Sequence, residues 1–281
     1  MINFKHKDRL FTYIFGREEN REWILSLYNA INGCSYSEAD EIAITTIDDA
    51  VYMGMKNDAS LLLHWTMSLW AHQSTYNPNM PVRELMYLGK LYDKFIHQRK
   101  ENIFGKKLIK LPIPKIVVFY NGKEKKEEET VLALSDAFPS EVSGVESDVE
   151  VRVRMININK GYNRELMSAC KPLSEYAWFI EKIRKYSGDY ETEEAVDLAI
   201  NEMPEGFLIK GFLVGHRAEV KDMCITEYNE AETMQLFKEE GRAEGRLEKA
   251  EQVYKNCLAR GMSEEDAMAI SGLRDARIAM E

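Results

Sequence analysis

Asp58 and the polar run that follows it are the residues of this chain best suited to chemistry. Lys56-Asn57-Asp58 opens an apolar stretch, and thirteen residues later comes Trp70-Ala71-His72-Gln73-Ser74. A carboxylate at the head of one strand, followed on the next strand by an acid two positions before a Lys or Gln, builds a seat for a hard divalent cation. Mg²⁺ takes one or two carboxylates and completes its shell with waters and phosphate oxygens. Such an ion lowers the pKa of a bound water and offsets charge on a scissile phosphate. Here Asp58 is the first acid, and Gln73 is placed to orient the water by hydrogen bonding. Ala71 stands where the second acid belongs. Ala71 and Gln73, two apart on a strand, face the same side. Taken alone, Asp58 would read as a turn residue at a strand entry; the neighbouring runs give it the metal role.

The elements that must position these residues follow from periodicity. Apolar residues at helical spacing predict helices over 8–15 and 21–31, and Gly33 closes the second. Residues 41–47 alternate and are β-branched, which predicts a strand. Residues 58–63 and 67–73 read as an antiparallel hairpin joined around His64-Trp65-Thr66, without the Asn-Gly or Asp-Gly of the tightest turns. Asn77-Pro78-Asn79-Met80-Pro81 ends the second strand and launches a helix over 82–100. Its expected apolar side is Leu85, Met86, Leu88, Tyr92, Phe95 and Ile96, with Arg83, Lys90, Lys94, Arg99 and Lys100 on the wet side.

Lys115 to Tyr120 is a continuous apolar run, expected at the centre of a sheet and ended by Asn121-Gly122. Residues 123–148 are polar and read as a loop, and 149–158 alternate as a further strand. From Pro172 the pattern is helical: 173–187, 191–202, 205–222, and a long charged helix from about 227 to 260 with Gly241 and Gly245 in its middle. Each of those glycines costs about 1 kcal/mol against Ala. Ser263 and Asp266 form an N-capping pattern for a short helix after Gly261. The expected organisation is a core at 1–165, a helical extension at 166–226, and a long helix with a short helical hairpin at 227–281.

Charge divides the chain. The net charge of −10 argues against indiscriminate nucleic-acid binding. Yet residues 1–123 carry 16 Lys/Arg against 13 Asp/Glu, whereas 124–281 carry 21 against 34. Within 83–123 there are ten basic and three acidic residues, directly after the candidate site. That block is either a solvated helix face or a surface that tracks phosphates. Four widely spaced cysteines, Cys34, Cys170, Cys224 and Cys257, fit thiols in a reducing cytoplasm rather than disulfides or a zinc site. No apolar run approaches the roughly 18 residues of a membrane helix, so no membrane role is expected. His64 and His72 flank the hairpin; His72 should point away from Gln73 and reads as a core histidine. Asp48 and Asp49 read as solvated turn residues, and Asp8 reads equally as a residue that helps orient the site or as a helix N-terminal acid.

Several runs together resemble a known family. They are Lys7-Asp8-Arg9-Leu10-Phe11, Ile14-Phe15-Gly16, Leu27-Tyr28-Asn29-Ala30, Lys56-Asn57-Asp58, and the stretch from His72-Gln73-Ser74 to Pro81. Val118-Phe119-Tyr120-Asn121-Gly122, Glu227-Tyr228-Asn229-Glu230-Ala231 and the Gly-Arg pairs at 241–242 and 245–246 extend it. Residues 1–240 thereby resemble the Rpn family of recombination-promoting, transposase-associated nucleases, a branch of the PD-(D/E)XK superfamily. The resemblance implies an α/β fold: a restriction-endonuclease-like core with a mixed central sheet flanked by helices, and a helical C-terminal region. It further implies a Mg²⁺- or Mn²⁺-dependent DNA endonuclease acting in recombination, mobile elements or phage defence.

That family places Glu immediately before the His-Gln-Ser run, where this chain has Ala71. Asp58, Ala71 and Gln73 are thus the expected catalytic positions, Asp58 the metal ligand, and Arg83, Lys90, Lys94, Arg99 and Lys100 the expected DNA contacts. Loss of one of two carboxylates weakens both metal affinity and charge stabilisation. Two origins fit a single Ala in an intact run: a Glu→Ala change introduced to silence a nuclease, or a natural copy retained for binding. The second class of function is a non-catalytic DNA-binding or assembly protein that forms a homo-oligomer through its C-terminal helices.

Overall fold

Thr66–Gln73 is buried along almost its whole length, and the rest of the sheet is built around it. The architecture comes from a computed structural model that describes residues 10–46, 59–139, 141 and 145–274, with the backbone alone for 226–241, 243 and 244. The protein is α/β: a mixed six-stranded sheet flanked by helices, followed by a helical C-terminal part. In chain order the elements of the first part begin with α1 (Leu10–Phe15), α2 (Arg21–Asn32), β1 (Ala43–Ile44), β2 (Ala59–Leu63) and β3 (Thr66–Gln73). Next come α3 (Met80–Gln98), β4 (Ile113–Tyr120), β5 (Glu129–Ala133) and β6 (Arg152–Asn157). Helices α4 (Arg164–Ala169), α5 (Lys171–Tyr186), α6 (Thr192–Glu202) and α7 (Lys210–Gly215) precede the long α8 (Arg217–Ala259) and the short α9 (Glu264–Ser271).

The strand order is β1-β2-β3-β4-β6-β5. β2 and β3 form the expected hairpin, with Ala59 opposite Trp70 and Leu63 opposite Thr66. The turn is made by His64 in the left-handed conformation, φ 51°, where Asn-Gly would be easier. β4 lies parallel to β3, a geometry that requires a crossover, and α3 supplies it. β6 is parallel to β4, and β5 pairs antiparallel to β6 at the edge.

Each face of the sheet carries its own apolar layer. Ala59, Leu61 and Leu63 of β2, Trp70 of β3 and Val117 and Phe119 of β4 join one continuous core with α1, α2, α5 and α6. On the other face Ala71, Val118, Tyr120, Val153 and Met155 pack with Met80 of α3, while Met67 and Leu69 pack with Tyr87, Leu91 and Phe95.

Most elements expected from periodicity are present, but α4 was not expected, the helix read over 205–222 is interrupted at His216 between α7 and α8, and three further differences follow. β5 falls inside the stretch read as a loop; at the sheet edge only Leu132 of its five residues is buried, so its apolar pattern is faint. The long helix begins at Arg217 rather than near 227, because no Pro or Gly interrupts 217–226, and it runs unbroken through Gly241 and Gly245. β1 is only two residues long.

The chain divides into two compact units, Met1–Thr226 and Glu227–Glu281. The helices of the expected extension at 166–226 share their core with the sheet rather than standing apart. In the second unit, Ser263 caps α9 as expected: its Oγ accepts from the Asp266 N–H at 3.1 Å, and Gly272 closes the helix at φ 64°.

Candidate functional site

Alternation along β3 decides which residues meet which helices. Ser68, Trp70 and His72 face the α1/α2/α5 side; Met67, Leu69, Ala71 and Gln73 face α3. His72 is a core residue, as expected. It stacks on Phe11 at 5.4 Å between centroids, and its Nε2 is 3.1 Å from the Tyr176 hydroxyl. His64 is half exposed and pairs with Glu41 at 3.3 Å, away from this layer.

Ala71 is 1% exposed and Gln73 3% exposed. The β3–β4 register puts Ala71 beside Val118 and Gln73 beside Tyr120, and the next pairing puts Tyr120 beside Asn157. The backbone of Gln73 is fixed by its carbonyl, which accepts from the Asn121 N–H at 2.8 Å. Its side-chain Oε1 is buried without a hydrogen-bond partner among the described residues. Burial, and then the charge of Glu124, pushes the Tyr120 phenol above its ordinary pKa, so it stays protonated and donates to the Glu124 carbonyl at 3.0 Å. Gly122 ends this strand where no larger residue fits: a Cβ there would overlap the Tyr120 phenol and sit 2.6 Å from the Ser74 carbonyl.

Asp58, the expected metal ligand, precedes Ala59 in sequence but lies outside the described residues, as do Asp8, Asp48 and Asp49. Among the described residues no group of three His, Cys, Asp or Glu side chains could hold a metal ion.

Helix α3 corrects the expected face. Its buried stripe is Met80, Glu84, Tyr87, Leu91 and Phe95, whereas Leu85 and Met86 are 36% and 42% exposed. Apolar residues occur on more than one side of this helix, so periodicity alone did not fix its phase. The true phase buries Glu84, 1% exposed, on the stripe between Met80 and Tyr87. Had Met80 and Tyr87 set the phase, the sequence would have singled out Glu84 as an acid on a buried stripe.

The expected DNA contacts are also redistributed. Arg83 is half-buried with Nη1 3.3 Å from Met80 Sδ. Lys90 has a buried Nζ without a hydrogen-bond partner among the described residues. Lys94 donates to the Thr45 and Thr46 carbonyls at 3.2 and 3.1 Å, so its ammonium is turned to the β1 edge rather than to solvent. Arg99 and Lys100 are exposed, with the Arg99 guanidinium over the Trp65 and Phe95 rings. Exposed basic residues continue past the helix as Lys106, Lys107 and Lys110, next to Phe104, which is 92% exposed.

The structure therefore defines an α/β protein with Gln73 buried on a central strand and Glu84 buried on its crossover helix. Compared with protein-family models, curated proteins and solved structures, the chain matches none. Among the described residues, no helix is long and apolar enough to cross a membrane.

Proposed function

We propose that this chain is a metal-dependent DNA endonuclease of the PD-(D/E)XK architecture and the Rpn type, impaired by Ala71 at an acid position. The observation that carries the reading is the arrangement around β3. An antiparallel β2–β3 hairpin is followed by a helical crossover to a parallel β4, and Ala71 and Gln73 share the face beneath that helix. This is the layout a strand-borne metal site on such a core requires.

Mg²⁺ or Mn²⁺ fits the donors in kind. Gln73 offers a buried amide oxygen with no hydrogen-bond partner among the described residues, and Asp58 stands at the entry to β2 in sequence. When bound, the cation supplies an acidified water and charge neutralisation at phosphate. Gln73 would orient that water, Asp58 would hold the ion, and the exposed Arg99, Lys100, Lys106, Lys107 and Lys110 would contact the DNA backbone. Four unbridged cysteines agree with work in a reducing, cytoplasmic setting, and the recombination or mobile-element role rests on the family resemblance.

The test is plasmid cleavage by this chain and by Ala71→Glu, each with Mg²⁺ and with EDTA. Cutting that appears or rises in Ala71→Glu and vanishes with EDTA is expected. Absence of cutting in both would overturn the endonuclease reading. It would favour the second one, a DNA-binding scaffold that assembles through its C-terminal helices, which Ala71 itself supports.

A further inference from the structure

The loop between α3 and β4 holds large apolar side chains in solvent. Phe104 is 92% exposed, Leu108 77% and Ile103 61%. Ile96, Ile103, Leu108 and Leu111 line an open groove, with Lys106 and Lys107 among them. Residues 99–110 carry five basic side chains, Arg99, Lys100, Lys106, Lys107 and Lys110, against one acid, Glu101. Lys107 pairs with Glu101 at 3.3 Å, and among the described residues the other four have no acidic partner. A ring this exposed, set amid uncompensated cations, marks an interaction surface.

The loop has its own framework. Asn102 Oδ1 accepts from the Phe104 N–H at 3.0 Å, and the Asn102 carbonyl accepts from the Gly105 N–H at 3.0 Å. The Tyr92 hydroxyl donates to the Pro112 carbonyl at 2.8 Å. Both ends of the loop meet at Trp65: the Arg99 guanidinium lies 5.6 Å from its ring, and the Ile113 N–H donates to its carbonyl at 2.7 Å. Trp65 is itself 49% exposed, so a second aromatic stands at this end of the sheet. Strand β3 runs from Thr66, next to Trp65, to Gln73. At about 3.3 Å per residue, the base of the loop is roughly 25 Å along the strand from Gln73. Binding at the loop can therefore be measured apart from chemistry at the candidate metal position.

Apolar and basic residues take turns along the loop: Ile103-Phe104, Lys106-Lys107, Leu108-Ile109, Lys110, Leu111. A lipid surface favours an apolar face that enters the acyl boundary with cations on the opposite face. Here ammonium groups lie between the apolar groups, which fits a ligand whose own apolar faces and negative charges alternate. An unpaired nucleic-acid strand is such a ligand, because each base offers a π face and each phosphate a charge. A duplex hides those faces in its stack and presents only base edges in its grooves. Resting on the nuclease reading for its DNA partner, we propose that this loop binds single-stranded DNA. Phe104 stacks on an unpaired base, and Lys106, Lys107 and Lys110 hold the flanking phosphates.

The test is fluorescence anisotropy of the full chain with a labelled mixed-sequence single strand and with a hairpin duplex, in EDTA so that nothing is cut. It uses the unsubstituted protein, Phe104→Ala, Phe104→Leu, Phe104→Trp and Lys106→Ala, each checked for folding by its urea midpoint. The single strand should bind more tightly than the duplex. Loss of one stacked base should weaken strand binding about 5–100-fold in Phe104→Ala. Phe104→Leu, apolar but without a π face, should stay weak, and Phe104→Trp should restore affinity. Lys106→Ala should make the dependence of log affinity on log salt shallower by about 0.7, one phosphate contact on a single strand. Duplex binding as tight as strand binding, or strand binding unchanged in Phe104→Ala, would overturn this inference and leave the nuclease reading standing. Cosedimentation with phosphatidylserine vesicles that Phe104→Ala abolishes, with DNA affinity unchanged, would assign the loop to a lipid surface instead. Absence of binding to both DNA forms would overturn this inference and the nuclease reading together.

Discussion

The two faces of the sheet bury polar groups in different ways. Toward α1, α2 and α5, several buried polar groups are tied to a second element. His72 lies between Phe11 and Tyr176 and meets the Tyr176 hydroxyl, Asn20 donates to the Ile14 carbonyl at 2.9 Å, and Glu175 holds the Ile209 N–H. Toward α3 the apolar layer is broken into two smaller clusters, and Gln73 and Glu84 are buried on the strand and helix of that side. Hydrogen-bonded polar groups inside a continuous core fix one packing. The difference separates a face with one continuous core from a face with two smaller clusters.

The strongest way to break that division is Phe119→Ala. Phe119 is fully buried, 4.7 Å from Phe11 and 6.1 Å from Trp70 between ring centroids. Removing a buried Phe costs about 3–5 kcal/mol through lost transfer and cavity terms. Urea unfolding should show that loss, while cation affinity in the still-folded protein stays unchanged. A large drop in affinity would mean the two faces are coupled.

A metal-linked stability measurement sharpens the same contrast from the other side. A ligand at a hundred times its Kd that binds only the native state adds about 2.7 kcal/mol. On the proposed nuclease reading the unsubstituted chain should gain that much with saturating Mn²⁺, and Asp58→Asn should lose most of it. An equal gain in both would place the ion elsewhere.

Tyr176→Phe is expected to cost about 1 kcal/mol, the net worth of one buried hydrogen bond, because His72 loses its partner hydroxyl. Chemical denaturation measures it, and cation binding on the opposite face should not respond.

The smallest effect is an acid-pH one at the rim of the α3-side layer. The Ser135 hydroxyl, 2.7 Å from Glu150, and then the backbone N–H groups of Ser135, Val151 and Leu134 hold the Glu150 carboxyl below its ordinary pKa. A native pKa below the unfolded one gives stability that is present above the unfolded value and lost as pH falls through the native value. Glu150→Gln should therefore flatten the acid side of the stability profile, read from urea midpoints across acidic pH. An unchanged slope would show that these hydrogen bonds do not persist in solution.

Much of the fold was legible because it rests on local pattern. The hairpin of β2 and β3, the apolar run of β4, the alternating β6 and the helices after Pro172 follow from two periodicities and a few turn residues. The opposite orientation of His72 and Gln73 follows from strand alternation alone. β5 was not legible because an edge strand buries one residue in five and leaves little pattern. The early start of α8 was missed because helix continuation depends on what is absent, a breaker before residue 227.

The sequence by itself determined the strand that carries the candidate site and the placement of Ala71 and Gln73 on one face of it. Tertiary structure alone decided which side of α3 turns inward. Val82, Leu85, Met86 and Leu88 compete with Met80, Tyr87 and Leu91 for that role, and a helix apolar on several sides has no preferred face until a sheet selects one. The selection turned Lys94 from an expected DNA contact into a hydrogen-bond donor to the β1 edge, and buried Glu84, which periodicity left unremarked. Burial is a property of two elements in contact, and neither element's sequence contains it alone.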